Sequence, residues 1–172
     1  MISCLVITGM PGTGKTTVAL ALAARMMKQG SAALALHTDL LKVTLRSLFP
    51  GEFKGPAYAG DFVEAINRLR PLLEAQVAKA AQDGYLLIVE GTLALGFSPA
   101  GGLKVLLELE HSERRRRIAR KHPVAQAALA RSSLERYQKA LAASIAPDTL
   151  RLDATLPLPL ILDQIETRLR SP

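Results

Sequence analysis

Three glycines, a lysine and three threonines stand together in Gly9-Met10-Pro11-Gly12-Thr13-Gly14-Lys15-Thr16-Thr17. The order is G-x-x-x-x-G-K-T, and the residue types define a phosphate-binding chemistry. Gly9 can turn the chain sharply. Gly12 and Gly14 carry no Cβ, so backbone N–H groups can curl around a row of phosphates, with Thr13 between them. Lys15 has the reach and charge for the β- and γ-phosphates. Thr16 offers a hydroxyl to Mg²⁺, and Thr17 can reach the α-phosphate. The expected cofactors are therefore ATP and Mg²⁺, bound by Gly9, Gly12, Thr13, Gly14, Lys15, Thr16 and Thr17, with Thr16 as the metal ligand.

Such a loop serves switches, motors and transferases alike. A guanine-reading switch needs N-K-x-D, and the only asparagine is Asn67, in Ile66-Asn67-Arg68-Leu69. A ring-forming ATPase needs a longer chain with a second small domain. Three further features point to transfer chemistry. Asp39, in His37-Thr38-Asp39-Leu40, follows an apolar run, where a carboxylate can take the proton from an attacking hydroxyl or cap the helix after it. Glu90 ends the run Leu86–Val89 and is followed by Gly91-Thr92. It can support Mg²⁺ as an acid at a strand end, or hold a substrate hydroxyl. Third, Arg114–Arg117, Arg120 and Lys121 crowd one short segment. Phosphoryl transfer spreads negative charge over the γ-phosphoryl oxygens, and cations must close over it. A helix-loop-helix lid over about 112–140 carrying Arg117, Arg120 and Arg131 supplies them. Four consecutive arginines cover every side of one turn, so several face solvent; Arg117 and Arg120 are the expected catalytic pair.

These groups need elements to position them. Ile2–Thr8 reads as a buried strand delivering the loop, and Lys15–Gln29 as the helix that leaves it. Ala32–His37 is a second strand, followed by a helix over Leu40–Leu48 and a Gly/Pro-rich loop over Phe49–Gly60. A helix from about Asp61 to Gln82 contains Pro71, which should kink or break it. Tyr85–Val89 is a third strand, Gly91–Gly102 a loop and Lys104–Leu109 a fourth strand. Ser112 should cap the Arg-rich helix, with Pro123 ending it. A helix over Ser132–Ser144, a fifth strand over Thr149–Asp153 and a helix over Leu158–Arg170 complete the chain. Short apolar strands alternating with helices imply a parallel sheet buried on both faces, in one α/β domain spanning 1–172.

Composition sets the remaining bounds. The chain has 172 residues and a net charge of +7, which favours anionic partners. It has no Trp, so a base-stacking surface for nucleic acid is not expected. One cysteine and three scattered histidines give no disulfide and no zinc spacing, and Cys4 reads as an inert core residue. No apolar run is long enough to span a membrane. The expected setting is cytoplasmic, as a monomer or homodimer.

In these residues the chain resembles the P-loop small-molecule kinases. The closer echoes are zeta-toxin-type and 2-phosphoglycerate-kinase-type members; shikimate, gluconate and adenylate kinases are more distant. The resemblance rests on Gly9–Thr17, Thr38-Asp39 with Arg46, Glu90-Gly91-Thr92, Arg117 with Arg120, and Arg131 with Tyr137. It implies a three-layer fold with strand order 2-3-1-4-5 and a mobile lid. It makes Asp39 the base, and turns Arg46, Glu90 and Thr92 toward the acceptor. Lys42 stands where zeta-type toxins usually carry an arginine. The resulting expectation is a kinase that moves the γ-phosphate of ATP to a hydroxyl of a small anionic metabolite. The alternatives are a nucleoside or polynucleotide 5′-hydroxyl kinase and a toxin-like or switch-type ATP-binding protein.

Overall fold

The computed structural model describes residues 2–50, 62–121 and 131–170. Five strands, β1 (Cys4–Gly9), β2 (Ala33–His37), β3 (Leu86–Glu90), β4 (Leu103–Glu108) and β5 (Leu150–Asp153), form one all-parallel sheet in the order β2-β3-β1-β4-β5. Between them run α1 (Lys15–Lys28), α2 (Thr38–Leu48), α3 (Phe62–Asp83), the short 3₁₀ turn η1 (Thr92–Ala94), α4 (His111–Lys121) and α5 (Arg131–Ser144), with α6 (Leu158–Arg170) last. The expected strand order and alternation are both present.

Period-two alternation in the central strand splits the core. Leu5 and Ile7 pack with Val18 and Leu22 of α1 and with Ile161 and Ile165 of α6. Cys4 and Val6 turn to the opposite face, toward Leu73 of α3, Leu87 and Phe97. Every residue of β1 and β3 is buried, as a strand covered by helices on both faces must be. Cys4 is core, and burial pushes its thiol up to about 12, so it stays protonated. On the outside, Arg25 of α1 pairs with Asp163 and with the buried Glu166 of α6, and Arg170 reaches the same Glu166. These contacts clamp the first helix to the last.

Three local expectations are corrected. Helix α2 begins at Thr38 instead of Leu40, with His37 at its N-cap and no side-chain cap bond. Asp39 therefore lies inside the first turn and is not a cap. Likewise α4 begins at His111, which moves Ser112 from the cap into the first turn. Finally, α3 runs unbroken through Pro71. Leu69 and Leu73 on either side of the proline are fully buried, and this packing holds the helix across the missing N–H. The expected loop over Phe49–Gly60 lies mostly outside the described residues, as does Pro123.

Candidate active site

Strand β1 ends at Gly9, which has φ +148°, and a Cβ there would stand 2.6 Å from the Leu107 carbonyl oxygen. Only glycine can make this turn so close to β4. Gly12 has φ +87°, and a Cβ on it would meet Ile118 Cγ1 at 2.8 Å and Arg114 Cγ at 3.3 Å. Helix α4 thus lies directly on the loop. Gly14 is the N-cap of α1 in the left-handed conformation, with no side-chain cap bond, and nothing stands within 4 Å of the place its Cβ would take. The first turn of α1 therefore presents free N–H groups beside open space, a cradle suited to anionic phosphates. Thr13 is buried, and both its N–H and its hydroxyl donate to the Met10 carbonyl, at 3.3 and 2.9 Å. It shapes the loop from inside, while Thr17 is exposed.

The ammonium of Lys15 donates to the carbonyls of Gly9 (2.9 Å) and Met10 (3.1 Å). The residue as a whole is half-buried, but its tip lies under the loop. Burial lowers its pKa from 10.5 to about 8, against the opposing pull of Glu90 and Asp39. One of these carboxylates ends β3, and the other lies in the first turn of the helix that follows β2.

The sheet register brings the acid groups together. His37 and Ile7 both pair with Glu90, so β2 and β3 end level with one another while β1 runs two residues further to Gly9. Glu90 is 2% exposed. Its Oε1 accepts a 3.0 Å bond from the Thr16 hydroxyl and lies 2.6 Å from His37 Nδ1, which is out of line for a proper N–H···O bond. Its Oε2 has no hydrogen-bond partner. Burial raises the Glu90 pKa, while His37, Thr16 and Lys15 work to lower it. Among the described residues no group of three His, Cys, Asp or Glu could enclose a metal. Mg²⁺ does not require one: it keeps waters and takes one or two protein ligands beside phosphate oxygens. Thr16, with the unsatisfied Glu90 oxygen behind it, fits that donor set.

Asp39 is half-buried in the first turn of α2. Lys42 and Arg46 follow at i+3 and i+7 on the same helix face. Lys42 is only 8% exposed; burial and Arg46 lower its pKa, and Asp39 raises it. Thr92 is buried at the start of η1, which packs against α2.

The lid arginines stand differently from expectation. Arg117 donates to Glu113 Oε1 and to the Ala154 carbonyl just after β5, both at 3.0 Å. It anchors α4 to the far side of the sheet in this structure. Arg120 is exposed. The side chain of Arg131, and residues 122–130 of the expected lid, lie outside the described residues. The arginine against the phosphate loop is Arg114. Two further residues secure this corner. Tyr137 of α5 is buried and its hydroxyl donates to the Gly9 carbonyl at 3.1 Å, the carbonyl that Lys15 also holds. Lys104 ties the end of α5 to the loop after β3 by donating to Ser144 O, Leu95 O and Ser98 Oγ.

Arg114 and His37 escaped the sequence reading. Both had a signal. Arg114 is one turn before the apolar Ile118 and so shares its inward face, and His37 is the last residue of a strand whose carboxyl end faces the crevice.

Comparison with known proteins places this arrangement. A family model described as an AAA domain matches residues 5–136. No curated protein matches the chain in sequence. Among solved structures, a sugar kinase from Janibacter sp. HTCC2649 superposes with a TM-score of 0.66 at 20% identity, covering 98% of this chain and 95% of that one. The APS kinase of Mycobacterium tuberculosis, solved with AMPPNP and APS, gives 0.62 at 18% identity, covering 99% and 98%. A gluconokinase from Sinorhizobium meliloti 1021 gives 0.55 at 19%, covering 97% and 95%. The fold is the same in all three.

Proposed function

The chain belongs to the AAA domain family, and on that footing we propose that it is an ATP-dependent kinase acting on a hydroxyl of a small anionic metabolite. One observation carries the reading: two carboxylates, Glu90 at the end of β3 and Asp39 in the first turn of the helix that follows β2, both act on the ammonium of Lys15 in the phosphate loop. A nucleotide switch has no use for the second carboxylate; a transferase has. The kinase neighbours support the same class.

The residues divide the work. The N–H groups of Gly12, Gly14, Lys15 and Thr16, at the start of α1, hold the phosphates. Lys15 leaves the Gly9 and Met10 carbonyls and neutralises charge growing on the γ-phosphoryl group, while Tyr137 keeps the Gly9 carbonyl satisfied. Asp39 takes the proton of the acceptor hydroxyl. Lys42 and Arg46 offer two cations to an acidic group of the acceptor, one to two helical turns from the base. Mg²⁺, when bound at Thr16, screens the phosphate oxygens. Transfer of label from γ-labelled ATP to hydroxylated acids tests the reading as a whole.

Two consequences are specific. Glu90→Gln keeps the size of the side chain and an acceptor for Thr16 but removes the charge behind it. The Mg²⁺ concentration for half-maximal binding of a fluorescent ATP analogue is expected to rise about 10–100-fold, the usual effect of losing a group that orients a metal ligand. An unchanged Mg²⁺ requirement would free Glu90 for the acceptor instead.

The second concerns pH. Lys15 is already neutral in a growing fraction of free protein above about pH 8, and bound phosphates favour the ammonium. ATP binding should therefore take up a proton above that pH. The ATP dissociation constant is expected to climb above pH 8, by up to about tenfold per unit. The sign for folding is opposite. The fold disfavours the charged lysine, so its unfavourable contribution fades as pH rises from about 8 toward the ordinary value of 10.5. Calorimetry in two buffers of different ionisation enthalpy at pH 9 measures the proton uptake directly. Equal apparent enthalpies in the two buffers would remove Lys15 from the phosphate contact.

A further inference from the structure

Arg114 is the least explained charge in the molecule. It lies in the first turns of α4 and is 4% exposed, yet its Nη1 has no hydrogen-bond partner. Burial lowers its pKa and the neighbouring Arg115, which repels it, works in the same direction; among the described residues no carboxylate opposes them. Several of its neighbours are matched. Arg116 and Arg117 share Glu113, and Arg151 holds Glu108. An arginine cannot escape such a position by losing its proton. A buried, unpaired guanidinium is costly to the fold, and replacing such a group by an apolar one of similar volume is often neutral or stabilising.

Its position names the missing anion. The stem packs on the phosphate loop, with Cγ 3.3 Å from where a Cβ of Gly12 would be, beside Ile118 at 2.8 Å. A larger residue at 12 would push this arginine away, so the bare glycine brings α4 and the loop into direct contact. The anion that this loop collects is a polyphosphate. Guanidinium and phosphate match in geometry, two N–H donors to two oxygens.

Resting on the kinase reading above, we propose that Arg114 is a nucleotide-binding residue, supplying a guanidinium from α4 to a phosphate of the nucleotide in the Gly9–Thr16 loop. The cost of leaving it unpaired is carried by the free protein and relieved when nucleotide binds. Arg117, anchored on Ala154, fixes the helix that carries it.

The test compares wild type, Arg114→Met and Arg114→Lys. Thermal melting is measured without ligand, and ADP and ATP binding by calorimetry at two salt concentrations. Arg114→Met keeps the stem and removes the charge. Its melting temperature is expected to equal or exceed that of wild type, while its ATP dissociation constant rises about tenfold or more with a shallower salt dependence. Arg114→Lys keeps the charge without the planar fork and is expected to fall between the two; it carries the test alone if the methionine variant does not fold. Wild-type ATP affinity in both variants overturns the proposal, and so does a drop in melting temperature with affinity unchanged, which marks a packing residue only. Failure of the kinase reading looks different: wild type itself then binds neither nucleotide, or binds ATP without transferring phosphate.

Discussion

Asp39→Asn is expected to lower kcat by about 10²–10⁴ while leaving the fold and ATP affinity nearly intact. The size is the ordinary contribution of a general base. The structure sharpens the expectation by removing the rival role. Asp39 is not the cap of α2, because the helix already starts at Thr38. What asparagine loses in stability is only a charge in the first turn, worth about 0.3–1 kcal/mol against the helix dipole. For a chain of this size that amounts to a melting shift of about 1–4 °C. ATP affinity should hold or tighten slightly, since a negative charge near the phosphates is gone. A variant within a few-fold of wild-type kcat would remove Asp39 from the chemistry.

Lys15→Ala is expected to have the larger effect, a loss of about 10³-fold or more in kcat/KM, with no loss of fold. Lys15 is placed to hold the phosphates of bound ATP and, more strongly, the charge that grows as the phosphoryl group moves, so its loss weakens binding and falls further on the transition state. Its removal should cost the fold little. The ammonium is disfavoured where it lies, as its lowered pKa shows, and the Gly9 carbonyl retains Tyr137 as a donor. The expected signature is thus a near-dead enzyme that melts within a few degrees of wild type. Undiminished turnover would mean that this loop is not where ATP reacts.

Much of the frame was legible in the residues. Apolar strands with a Gly-rich loop after the first and an acid after the third gave the layers and the alternation; the family likeness supplied the strand order. The carboxyl ends of β2 and β3 lie level because of register, which the buried central strands specify. Boundaries were less legible. Helices α2 and α4 begin at Thr38 and His111, one or two residues before the starts expected from the sequence, as helix ends commonly do. The break expected at Pro71 did not occur because burial of Leu69 and Leu73 outweighs one lost hydrogen bond.

The arginine cluster was the hardest part. Counting charges could show that some must face solvent, but not which. Arg114 is buried because α4 needs an inward residue one turn before Ile118, and the bare Gly12 lets it approach. Arg117 was read as a catalytic lid arginine, and its distance in sequence from Ala154 hid the carbonyl it holds. Such pairings across the sheet depend on the tertiary fold and leave no local pattern.

The central claim is transfer, and one measurement addresses it. The protein is incubated with γ-labelled ATP, Mg²⁺ and separate pools of hydroxylated acids, neutral sugars, nucleosides and a 5′-hydroxyl oligonucleotide. The products are separated and the labelled species identified by mass. The expected result is a labelled small organic phosphate from the acid pool, formed by wild type and lost in Lys15→Ala and Asp39→Asn. Label appearing only in inorganic phosphate, or only on the oligonucleotide, would contradict it.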